Sequence, residues 1–71
     1  MVYFDGIHLV AENIDELHSF ALLCGLKCEW FQNHKRHPHY DVWGNKNKRA
    51  VFKNGAIEVS SKELINLTHF T

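Results

Sequence analysis

The chain has 71 residues, no net formal charge, 45% hydrophobic residues and 13% aromatic residues. This length makes one small domain, which buries on the order of 60% of the surface its unfolded chain exposes. Such composition argues against intrinsic disorder, and zero net charge excludes a polybasic nucleic-acid binder. The longest apolar runs fall far short of the ~20 residues of a membrane helix, so no membrane association is expected. No basic-then-apolar leader opens the chain, and two cysteines cannot make a disulfide framework; both fit a reducing cytoplasm. The many large apolar side chains of so small a domain favour a homo-oligomer.

In chain order, Val2-Tyr3-Phe4 and Ile7-His8-Leu9-Val10 are β-prone runs flanking Asp5-Gly6, a hairpin signal. Asn13 is placed as a helix N-cap, with Glu16 three residues on and Asp15 in the first turn. Leu17, Phe20, Ala21 and Cys24 share one helical face, and Leu22 and Leu23 widen the stripe, so burial on more than one side is expected. Gly25 suits the C-cap. Residues 26–32 alternate Cys28, Trp30 and Gln32 against Lys27, Glu29 and Phe31, which predicts a strand. That alternation would put one of Trp30 and Phe31 in the core and leave the other for a partner or ligand.

Residues 33–44 form a histidine-rich connection holding the one proline, Pro38. Residues 45–54 predict a short basic helix with Ala50, Val51 and Phe52 inward. Ala56-Ile57-Glu58-Val59 predicts a strand, and Ser60 with Glu63 a capping box opening a last helix through Leu64, Ile65 and Leu67. The order is roughly ββαβαβα. This is a small single α/β domain over residues 1–71, with a sheet of three to four short strands packed by helices joined by right-handed crossovers.

Charge is segregated. Residues 1–30 carry five acids against Lys27, a net of −4. Residues 31–54 carry Lys35, Arg36, Lys46, Lys48, Arg49 and Lys53 against Asp41, a net of +5, and residues 55–71 return −1. His34, His37 and His39 lie in the basic segment. It reads either as a solvated face or as an anion site.

The strings His8-Leu9, Asp15-Glu16-Leu17-His18-x-Phe20-Ala21 and Gly25-Leu26 resemble an uncharacterised bacterial and phage family, the domain-of-unknown-function family numbered 4031. The resemblance continues through Trp30-Phe31-Gln32, His39-Tyr40-Asp41-Val42, Arg49-Ala50, Gly55-Ala56 and Val59 to Leu64. His39-Tyr40-Asp41 is its most specific part. The chain departs from the family in having only Asp5-Gly6 before the His8 strand, and a longer connection, with Lys35, Arg36 and His37, before His39. The resemblance implies a shared fold and a bacterial or phage origin, and supplies no reaction.

Three constellations could carry chemistry. His8, His18, His39 and Asp41 could converge at one end of the sheet and bind Zn²⁺ or Mn²⁺, although no cofactor is required by the sequence. Cys24, Cys28, His34 and His37 faintly resemble a structural zinc set, but Cys24 lies on the buried helical stripe. Trp30, Gln32, Tyr40, Trp43 and Arg49, with His8, His18, His39 and Asp41, could bind a small phosphorylated or nucleotide ligand by stacking, hydrogen bonding and charge, with the start of the basic helix near Asn45 as a phosphate seat.

Three functions follow. The leading expectation is sequestration of a nucleotide-type ligand without turnover, as an anti-defence phage protein capturing an immune signal would do, in a site shared between subunits. The first alternative is a metal-dependent phosphoesterase or nuclease using the His/Asp cluster. The second is an inhibitor docking on a host protein through aromatic and arginine side chains; nucleic acid is a further partner of the same chemistry. No nucleophile elbow, phosphate loop or dinucleotide fingerprint is present.

Overall fold

The computed structural model describes residues 1–34 and 37–67. Lys35 and Arg36 of the basic segment lie outside the described residues. Five short strands form one mixed sheet in the order β3-β4-β2-β1-β5: β1 (Val2–Phe4), β2 (His8–Ala11), β3 (Phe31–Gln32), β4 (His39–Asp41) and β5 (Ile57–Glu58). Among the described residues three α-helices accompany them: α1 (Ile14–Leu23), α2 (Asn45–Lys53) and α3 (Ser61–Leu67), the last following β5. The α/β class and the ββαβαβα order hold, but the sheet has five strands. The added strand is β4, which lies within residues 33–44, expected as a connection; its three residues are too few to show a period of their own.

Strand register sorts the side chains onto two faces. Phe4 pairs with Leu9, Val2 with Ala11, and Leu9 with Tyr40. These point to one face, where α1 and α2 cover them with Leu17, Ala21, Cys24 and Val51. The alternate residues, Tyr3, His8, Val10, His39 and Asp41, point to the other. There Val10 is fully buried, beside Leu64 of α3. The sheet is thus sandwiched, with its main core on one side and a smaller cover on the side that carries the histidines.

The helix ends follow local chemistry. Asn13 Oδ1 accepts the Glu16 N–H at 2.8 Å, capping α1. Its far end closes as a Schellman motif: Leu26 N–H donates to the Ala21 carbonyl and Gly25 N–H to the Leu22 carbonyl, with Gly25 at φ +77. Ser60 and Glu63 make the full reciprocal box, each bond 3.1 Å.

Four expectations need correction. The hairpin exists, but Gly6 and Ile7 are its central pair. Asp5 uses its carboxylate to accept the N–H groups of Ile7 and His8, so the turn is one residue later and Ile7 is exposed. Residues 26–32 are not one strand. Cys28–Trp30 form a 3₁₀ turn, closed by Trp30 N–H on the Lys27 carbonyl, that delivers Phe31 to the sheet edge. Trp30 and Phe31 are both partly buried and packed against the core, so strand alternation does not divide them between core and outside. Leu22 and Leu23 are 78% and 66% exposed, because α1 lies on the surface of a single sheet and only one of its sides meets it. On α2, Val51 is fully buried, whereas Phe52 sits edge-on to Phe4 and stays partly exposed.

Candidate metal centre

His8 and Asp41 are direct partners across β2 and β4, and His39 lies two residues before Asp41 on the same face. One ligand atom of each lies within 4.8 Å of the other two. His39 Nε2 is 3.3 Å from Asp41 Oδ1. Two ligand atoms bound to one tetrahedral Zn²⁺ at about 2.0–2.1 Å lie roughly 3.3 Å apart, so this pair already has the span of a coordination edge.

The outer shell determines which nitrogens face inward. His39 Nδ1 lies 2.7 Å from the His37 carbonyl oxygen, which can only accept, so Nδ1 carries the hydrogen. His8 Nδ1 lies 2.9 Å from Asp5 Oδ2 and donates to that carboxylate. With Nδ1 as the donor in each ring, Nε2 is the atom turned toward the candidate site. Nε2 of His39 and Oδ1 of Asp41 face each other, and either a proton on Nε2 or a cation between them makes that contact attractive. Carboxylate-to-imidazole and carbonyl-to-imidazole bonds of this kind orient histidine ligands on metals.

Asp5 is the hub of that shell, with a side chain only 2% exposed. Burial by itself would raise its pKa. The His8 backbone N–H, the His8 ring, the Ile7 N–H and the Ser61 hydroxyl outweigh that and hold the carboxyl at about 2. A depressed acid contributes stability that is complete above its ordinary value of 3.8 and disappears as pH falls through about 2. The Ser61 hydroxyl donates to Oδ2 at 2.8 Å, tying the start of α3 to the residue that orients His8. Reasoning from sequence passed over Asp5. The spacing Asp-x-x-His across a glycine turn was the available signal.

The other expected site residues lie elsewhere. His18, on α1, is on the opposite face of the sheet, packed against Phe31 at 4.7 Å between ring centroids. Its Nδ1 is 2.6 Å from the Tyr40 hydroxyl. Burial, with a smaller contribution from Cys28, pushes the Tyr40 phenol above its ordinary pKa, so it donates to His18 and pins α1 to β4. Tyr40→Phe is expected to cost about 1–2 kcal/mol in urea unfolding while leaving the metal centre intact. Trp30 packs on the core, with the Lys27 ammonium 5.9 Å from its ring centroid. Trp43 and Arg49 are exposed, and neither borders the clefts at the metal centre. Gln32 does border one, with Asn33, His34 and the three candidate ligands. Cys24 is buried, its thiol directed at the Ala50 carbonyl, while Cys28 is exposed, so the two do not make a zinc set with His34 and His37.

A family model described as "Protein of unknown function (DUF4031)" matches residues 5–70. The chain belongs to the DUF4031 family. The match spans Asp5, His8, His39 and Asp41 together, so every element of this centre lies within the DUF4031 domain. Neither the curated proteins nor the solved structures gave a match to the DUF4031 chain. None of its described helices is long and apolar enough to cross a membrane.

Proposed function

We propose that this DUF4031 chain is a metal-dependent phosphoesterase whose ion is held by His8, His39 and Asp41. The observation that carries the reading is the inward pair His39 Nε2 and Asp41 Oδ1 at 3.3 Å, with both histidine Nδ1 atoms engaged outward by Asp5 and the His37 carbonyl. Two imidazoles and one carboxylate suit Zn²⁺, as they do Fe²⁺, and leave coordination positions open for water and substrate.

An ion there would act as a Lewis acid and lower the pKa of a coordinated water toward ~7. Held by His8, His39 and Asp41, the ion would supply that water as nucleophile toward phosphorus, and the proton the water gives up would pass to the departing ester oxygen. A phosphoryl group suits the centre because one carboxylate leaves a divalent ion with net positive charge. Sequestration of a nucleotide is less well supported by this geometry. Its stacking and cationic residues, Trp30, Trp43 and Arg49, do not gather at the histidine face.

The test is metal analysis of the purified protein followed by assay on 4-nitrophenyl phosphate and bis(4-nitrophenyl) phosphate. One zinc per chain, with turnover abolished by a chelator and restored by Zn²⁺, supports the proposal. Absence of stoichiometric zinc, a preference for iron, or zinc binding without turnover overturns it.

A further inference from the structure

The metal centre opens on two sides. One is the polar cleft with Gln32 and Asn33. The other is a slot of about 210 Å³ between the outer face of β2 and α3, lined by Val10, Leu64, Ile65, His34 and His37. His8 and His39 border both spaces, so the slot leads directly onto the candidate ligands. We infer that this slot seats a single flat, uncharged ring, and that the substrate class is the phosphomonoester of such a ring. This rests on the reading of His8, His39 and Asp41 as a metal centre.

Three features of the slot select that occupant. Its aliphatic part, Val10, Leu64 and Ile65, offers dispersion contact and no hydrogen-bonding side chain. His34 and His37, also on its lining, have stacked rings, with centroids 5.8 Å apart and planes 30° from parallel. A flat ring matches such a surface better than a branched aliphatic group does. The carboxylate at its edge, Asp5, is buried with its oxygens engaged by four donors, so it offers no acceptor to the N–H groups of a cationic occupant. A neutral occupant therefore sits in the slot, and the anionic head meets the ion.

Size sets the other limit. Pockets for drug-sized ligands run to about 300–1,000 Å³. A slot of about 210 Å³ holds one ring system, and a second ester group would have to lie in the polar cleft on the other side. This favours a monoester over a diester carrying two bulky groups.

The test uses two probes that share a head group and cannot be hydrolysed, phenylphosphonate and methylphosphonate, titrated calorimetrically into the zinc-loaded full chain. Phenylphosphonate is expected to bind at least about tenfold more tightly, since the ring leaves water for the slot. Ile65, 54% exposed on α3, can be enlarged without disturbing the core. Ile65→Trp should reduce phenylphosphonate to the affinity of methylphosphonate, with methylphosphonate and zinc binding unchanged. Equal affinity of the two probes for the parent protein overturns the inference, as does a ring preference that survives Ile65→Trp. A zinc titration run first keeps the two failures apart: no zinc binding removes the metal centre and the slot's role with it, whereas zinc binding without ring preference removes the slot alone.

Discussion

His39→Ala is expected to weaken zinc binding by about 100-fold. A structural zinc site of four ligands is worth roughly 10–16 kcal/mol, so one ligand accounts for about 3 kcal/mol. His39 supplies both the Nε2 donor beside Asp41 and, through Nδ1, the bond to the His37 carbonyl that orients it. Its side chain stands on the outer face of β4, away from the main core, so the metal-free variant should lose no more than about 1 kcal/mol of stability. The two effects separate in a thermal shift. Zinc at 100 times its Kd adds about 2.7 kcal/mol to the parent protein, and at about 4–8 °C per kcal/mol its Tm should rise by roughly 10–20 °C. His39→Ala should show almost none of that rise. An equal rise in both proteins would place the zinc elsewhere.

Asp5→Ala is expected to cost about 3 kcal/mol of folding stability and a further 10–100-fold in zinc affinity. The first figure is large for a chain of 71 residues, whose whole stability is about 4–11 kcal/mol. It follows from what the carboxylate does. Oδ1 accepts the N–H groups of Ile7 and His8 and shapes the hairpin turn, while Oδ2 takes the His8 ring and the Ser61 hydroxyl. Alanine leaves two turn amides without their acceptor and releases both His8 and the start of α3. Asp5→Asn separates the roles. Its remaining carbonyl oxygen can still accept the two turn N–H groups, so most stability should return. Its neutral amide holds His8 less firmly, so zinc affinity should stay below that of the parent. Urea unfolding and zinc titration of the two variants give the four numbers needed, and equal zinc affinity in all three proteins would remove Asp5 from the outer shell.

Much of the fold was legible because it depends on neighbours in the chain. The Asn13 cap, the Gly25 terminator and the Ser60–Glu63 box are each made within a few residues, and each appears as expected. Strand periodicity over residues 26–32 misled because seven residues can alternate by accident, and the need to reach the sheet edge from the end of α1 imposed a 3₁₀ turn. Leu22 and Leu23 misled for a related reason. A helical stripe shows which residues could be buried, and the width of the surface it meets determines how many are.

The candidate centre divides in the same way. That His8, His39 and Asp41 could hold a metal was apparent from residue type. That His18 stands apart from them was not, since it depends on which face of the sheet α1 covers. By itself, the sequence determined the α/β class, the helix ends, and a set of imidazoles and one carboxylate of the residue types that ligate metals. The tertiary structure decided which of them meet. Pairing β2 with β4 in the register His8 to Asp41 sends those two and His39 to one face and Tyr40 to the other. A shift of one residue would have reversed the faces, and register is set by contacts between strands about thirty residues apart that local sequence does not encode.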